Sequence, residues 1–227
     1  LQGDWSSDVC SSDLKRIGRT FAICNKPVTV EQYRAFDPGY ELPGRFTRLP
    51  DLPAVRINWY MAAAYCNDLS RKDGIPEDQW CYEPADGGEG GEMRAKKNLL
   101  TLEGYRLPTE AETEYATRAG TITERHYGES NDLLQKYAWY ALNSDGMTWP
   151  VGTLKPNDLG LFDTTGNVLE WTQNIYHVDP RQRARVAFTL DDIEEEPETY
   201  AEQVLNAVFR AQRGGSFLHS RWESRSA

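Results

Sequence analysis

The chain is poor in the residues that most catalytic and metal-binding signatures require. It holds three histidines among 227 residues, and its four cysteines, Cys10, Cys24, Cys66 and Cys81, form no C-x-x-C pair. A zinc knuckle therefore finds no support. No H-x-x-x-H, nucleophile elbow, P-loop or dinucleotide fingerprint occurs. No apolar run approaches the roughly 20 residues that cross a bilayer. With a mean hydropathy of -0.67, the chain reads as soluble, and no membrane partner is expected. Positive charge is also scarce: 25 Lys and Arg stand against 35 Asp and Glu, a net charge of -10. Such a surface repels phosphate backbones, so no nucleic-acid partner is expected either.

What is present suits one sizeable domain with a real core. Seven Trp and twelve Tyr point to a loop-rich fold held by aromatic packing, with the polar tips of the rings finding partners. Part of the negative charge sits in one run, Asp191 to Glu198, which reads as a solvated loop. Cys66 and Cys81 are expected as small buried thiols, or as a pair if the fold brings them together. Residues 1–14 have no apolar core, no basic start and no period, so they are not a signal peptide. Asp8 to Leu14 back-translates to a string that looks like a sequencing-adapter end. The expectation is a scar or a disordered tail over 1–14, and one domain over 15–227.

Along that domain, Pro27-Val28-Thr29-Val30 is apolar and β-branched and suits a strand. Val30, Tyr33 and Phe36 then fall at helical spacing, ending before Pro38-Gly39. Asn58-Trp59 opens a second helix, Tyr60 to Arg71, which Gly74 closes. Trp80 to Glu83 is strand-like, Asp86 to Gly91 is a Gly-rich loop, and Tyr105 to Leu107 is a short strand. Thr109 caps a third helix, with Glu112 three residues on completing a capping box, and the helix runs to Arg118. Phe209 to Phe217 reads as strand-turn-strand around Gly214-Gly215.

Four separated segments carry a resemblance to one family. They are Pro27 to Tyr33, Tyr105 to Glu112, Gly160 to Trp171 (GLFDTTGNVLEW), and Arg213-Gly214-Gly215-Ser216-Phe217. In this order they resemble the sulfatase-modifying-factor domain, which includes formylglycine-generating enzymes and the C-terminal domains of ergothioneine-type sulfoxide synthases. The resemblance covers roughly Thr20 to Ala227. It implies an α+β class and an elaborated C-type-lectin-like fold. Two departures stand out: Thr113 and Leu169 each take a place where the family usually has Trp.

The resemblance also implies sites. The Gly-Asn-Val-Leu-Glu-Trp turn binds calcium in the family, which puts the carboxylates of Asp163 and Glu170 and the carbonyls of Gly166 and Val168 forward as ligands. Hard oxygen donors around a Gly turn suit that ion. A second calcium site would fall near Asn143 and Asp145, with altered spacing. Formylglycine-generating enzymes bind copper through two cysteines after the Arg-Gly-Gly-Ser segment, a chemistry suited to soft thiolates. Here those positions are His219 and Ser224, so neither copper nor a catalytic residue is expected. The expected function is a ligand-binding or accessory domain of a larger protein, with a protein or small molecule as partner. The alternative is a metal-dependent oxidoreductase, of the formylglycine-generating or sulfoxide-synthase-like iron kind. His177, Asp179 and His219 would be the ligands to try for iron. The resemblance further implies a closing strand beyond Ala227 that pairs near Phe21, so the domain is expected to be C-terminally incomplete. Compartment and oligomeric state are not legible.

Overall fold

In the computed structural model, which describes residues 17–42, 49–85, 91–175 and 210–221, capping chemistry decides where the helices begin. Thr29 opens α1 (Val30–Arg34): its hydroxyl accepts the Gln32 N–H, and the Gln32 side chain accepts the Thr29 N–H. This reciprocal box satisfies two donors that a helix start otherwise leaves open. The strand expected over Pro27 to Val30 is therefore replaced by a helix start, and pairing there is reduced to an isolated bridge between Thr29 and Pro53. Helix α2 (Trp59–Lys72) buries Trp59, Ala63, Cys66, Asn67 and Ser70, a stripe three to four residues apart. It ends at Gly74, whose φ of 72° is the left-handed closure expected of glycine. Helix α3 (Glu110–Arg118) carries the predicted box, with Thr109 N–H to Glu112 Oε2 at 2.9 Å and Glu112 N–H to Thr109 Oγ1 at 3.1 Å.

The strands are short. β1 (Tyr82–Pro84) runs antiparallel to β2 (Met93–Ala95), with Tyr82 opposite Ala95. β3 (Glu170–Ile175) pairs with β4 (Arg210–Arg213) in a second two-stranded sheet. The mixture is α+β, as expected. Two predicted strands do not form, because their backbone groups go elsewhere. Tyr105 N–H donates to Ser70 Oγ and Leu107 N–H to Tyr82 Oη. After Gly214-Gly215 the chain turns, and Phe217 N–H donates to the Asn167 carbonyl.

The chain divides into two units. The first takes in the described parts of Leu1–Ala22, Trp59–Glu112 and Gln173–Ala211. Its centre is Tyr82, which is 1% exposed. The Tyr82 phenol donates to Gln173 Oε1 at 2.8 Å while accepting the Leu107 N–H, and its ring meets Trp59 edge-on at 5.5 Å. The Arg210 guanidinium lies 4.1 Å over the other ring, Trp59, a cation–π contact. Glu112 is buried between Arg106, which grips it with two 2.7 Å bonds, and Arg19 at 3.0 Å.

The second unit takes in the described parts of Ile23–Asn58, Thr113–Thr172 and Gln212–Ala227. Asn157 knits its loops: Nδ2 donates to the Ala116 carbonyl, while Oδ1 accepts the Leu159 and Leu161 N–H groups. Trp139 and Trp149 stack at 4.4 Å, and Trp171 donates its indole N–H to the Ile57 carbonyl. The tail expected over 1–14, the acidic run at 191–198 and the last six residues lie outside the described residues. Around Phe21 the described backbone forms no strand.

Candidate metal centre

The segment from Asp163 to Glu170 is a tight turn built on three left-handed residues: Asp163 (φ 55°), Gly166 (φ 82°) and Asn167 (φ 57°). Gly166 is required sterically. A Cβ there would sit 2.4 Å from the Trp139 carbonyl oxygen, because the two backbones touch: Gly166 N–H donates to the Gly214 carbonyl and Asn167 N–H to the Trp139 carbonyl. Asn167, fully buried, then locks the turn by pairing its side chain with the backbone of Trp149. Asparagine suits this place, since it tolerates the left-handed region and carries both a donor and an acceptor.

The four expected ligands lie along this turn, and several of their oxygens have no donor among the described residues. Asp163 is buried; Oδ2 accepts the Gly152 N–H at 2.7 Å, while Oδ1 is buried with no partner. Among the described residues, nothing donates to the Gly166 or Val168 carbonyl. The Glu170 carboxylate makes neither an ion pair nor a hydrogen bond there. Burial, and then the charge of Asp163, push Glu170 up to about 7. Asp163 itself is raised by burial, against the Gly152 N–H, the Asn167 amide and the Lys26 charge. Two carboxylates within electrostatic reach of each other, one orphaned oxygen and two open carbonyls thus lie along one turn.

Two neighbours were not foreseen. Lys26 lies 5.2 Å from the Phe162 ring and within electrostatic reach of Asp163. Cys24, exposed as a residue, has its thiol raised by partial desolvation and then by Glu170. Both come from the segment whose Asn25 carbonyl accepts the Phe162 N–H, a contact far apart in sequence with no local signature.

The other expected sites differ. Asn143 spends its side chain on its own turn, accepting the Tyr140 N–H and donating to the Ala138 carbonyl. His219 is half-buried, its backbone is held by Ser216 and Ala141, and its Nδ1 is buried without a partner. Ser224, His177 and Asp179 lie outside the described residues. No disulfide joins Cys24, Cys66 and Cys81; Cys66 and Cys81 are buried free thiols, and burial pushes Cys81 up to about 11. Among the described residues no group of three or more His, Cys, Asp or Glu side chains converges.

Comparison with known proteins adds the wider setting. The sulfatase-modifying factor enzyme 1-like domain matches residues 11–227. A formylglycine-generating enzyme of Mycobacterium tuberculosis is 38% identical, covering 88% of this chain and 77% of its own. A protein of Paenibacillus barcinonensis named chaperone protein LppX is 30% identical, over 52% of this chain. The chain spans 50% of that relative's length. Among solved structures, Treponema denticola variable protein 1 superposes with a TM-score of 0.66 at 26% identity, covering 88% of this chain and 74% of its own.

Proposed function

Since the chain belongs to the sulfatase-modifying factor enzyme 1-like family, we propose that it is a calcium-ordered ligand-binding or accessory domain rather than an oxidase. The observation that carries this reading is the donor chemistry. Where the family's copper chemistry uses two thiolates, the chain has His219 and Ser224. Imidazole and hydroxyl do not reproduce a soft bis-thiolate site. Of the described cysteines, Cys66 and Cys81 are buried away from reaction. Copper does not fit that imidazole and hydroxyl pair.

Calcium does fit the turn. Asp163 Oδ1, the Glu170 carboxylate and the Gly166 and Val168 carbonyls would hold it. Bound there, the ion would supply charge compensation and loop order, not chemistry on a substrate. The likeness to the Treponema variable protein supports a domain that displays loops on a fixed frame, the usual way to build a binding surface. The ligand is a protein or a small molecule.

One experiment tests the reading. The purified chain is incubated with copper, oxygen and a sulfatase-type cysteine peptide, and the aldehyde is sought by mass spectrometry. No product above the no-enzyme control is expected; product would overturn it. A second reading, a metal-dependent oxidoreductase, draws on His219 Nδ1, the buried nitrogen without a partner. Stoichiometric iron or copper in the purified protein, lost in His219→Ala, would favour it.

A further inference from the structure

A cleft of about 600 Å³ opens in the first unit beside α2 and the β1–β2 hairpin, lined by Asn67, Glu77, Asp78, Trp80 and Glu83 among others. Three observations there point to a ligand. Asn67 is 8% exposed and its Oδ1 has no partner. Its Nδ2 donates to the Tyr82 carbonyl at 2.9 Å, which fixes the amide's orientation, because the reversed amide would set oxygen against oxygen. The empty position therefore wants a donor. Glu77 and Asp78 make no ion pair among the described residues; Glu83 is matched by Arg94 at 2.7 Å. The cleft's own ammonium, Lys96, is tied to the Glu77 and Asp78 carbonyls at 3.0 and 3.3 Å, not to their carboxylates. Trp80 has its indole N–H satisfied by the Ile75 carbonyl, so what remains of it for a ligand is the ring.

We propose that this cleft binds a primary ammonium group, as on an aliphatic amine or a lysine side chain. Its N–H groups answer the acceptor on Asn67, its charge answers Glu77 and Asp78, and its alkyl stem and charge suit an aromatic face. A carboxylate or phosphate ligand is disfavoured by the same acidic wall, and a quaternary ammonium lacks the N–H that Asn67 needs. The site is separate from the Asp163–Glu170 turn and stands whether or not that turn binds calcium.

The test is a titration of the full chain with n-butylammonium chloride, followed by the Trp80 indole N–H in ¹⁵N spectra and assigned through Trp80→Phe. The expected result is a saturating shift, with n-butanol and tetramethylammonium each binding at least about tenfold more weakly, because each lacks one part of the match. Glu77→Gln with Asp78→Asn, both exposed, should weaken binding about fivefold, as two solvated pairs would. Lys96→Met should tighten it by removing the competing cation. Equal shifts from n-butanol and n-butylammonium, unchanged affinity in the double variant, weaker binding in Lys96→Met, or no saturation by about 100 mM would each overturn the proposal; that limit is set by the weakest affinity such small contacts give.

Discussion

The side chain of Asn167 closes a two-way pair with the backbone of Trp149: Oδ1 accepts the Trp149 N–H at 3.1 Å, and Nδ2 donates to the Trp149 carbonyl at 3.0 Å. Through that pair the Asp163–Glu170 turn is fixed to the loop bearing the Trp139–Trp149 stack. Asn167→Ala leaves two part-buried backbone groups without partners. It is expected to cost about 2 kcal/mol or more in urea unfolding, since each orphaned group costs on the order of 1–3 kcal/mol and these two are only part-buried. A loss under about 1 kcal/mol would mean that water reaches both groups.

Glu170→Gln separates the cation-free and cation-bound states. In the cation-free protein, Glu170 sits at about 7, above its ordinary 4.5. The unfolded chain ionises it first, so the folded state holds the extra proton and loses stability as pH rises from about 4.5 to 7. In EDTA at pH 7.5, Glu170→Gln should therefore melt higher than the parent. In calcium the parent should gain several degrees, as ligand-linked stabilisation requires, and the variant should gain little. A variant that melts lower in EDTA, or keeps the calcium increment, would count against the turn as a cation site.

Glu112 titrates with the opposite sign. Burial would raise it, but the bonds and charge of Arg106, the Thr109 N–H and Arg19 outweigh that and hold it below the usual range. Its contribution is present above the unfolded value near 4.5 and is lost as pH falls through the lower folded value. Glu112→Gln should cost about 3–5 kcal/mol at pH 7, the loss typical when one partner of a buried pair is removed. It should also flatten the acid limb of the stability profile. An unchanged acid limb would place that limb on other carboxylates.

The thiols should split by burial. Cys24 is exposed, whereas Cys66 and Cys81 are buried. A disulfide reagent under native conditions should label Cys24 and leave Cys66 and Cys81 until denaturant is added, as protected thiols do. Mass mapping that finds Cys81 modified in the folded state would show that the first unit opens readily.

Parts of this were legible in the sequence and parts were not, for reasons that can be named. Thr109 and Glu112 announced α3 because a capping box is local, four residues long and chemically explicit. The spacing of Val30, Tyr33 and Phe36 announced α1, whereas the β-branched look of Pro27 to Val30 points to a strand that the reciprocal Thr29–Gln32 bonds displace. Tyr105 to Leu107 reads as a strand only until Ser70 and Tyr82 are seen to take its N–H groups, and those residues lie 35 and 25 positions away. At the candidate centre, Asp163 and Glu170 came from the motif. The approach of Lys26 and Cys24, and the orphaned acceptor of Asn67, depend on packing between distant segments, which no periodicity encodes.

The phenol of Tyr82 and the hydroxyl of Ser70 hold loop amides that strands would normally hold. This inverts the usual map of mutational tolerance. In most folds, connecting segments accept insertions while the core elements resist them. Here, in stretches without regular structure, the Tyr105, Leu107 and Thr109 N–H groups are held by specific side chains, and those of Gly166 and Asn167 by distant backbone. One added residue would put those groups out of register. Sites for grafting or circular permutation should be sought elsewhere, near the end of α2 at Arg71–Lys72, whose exposed side chains pair with Asp68 of the same helix.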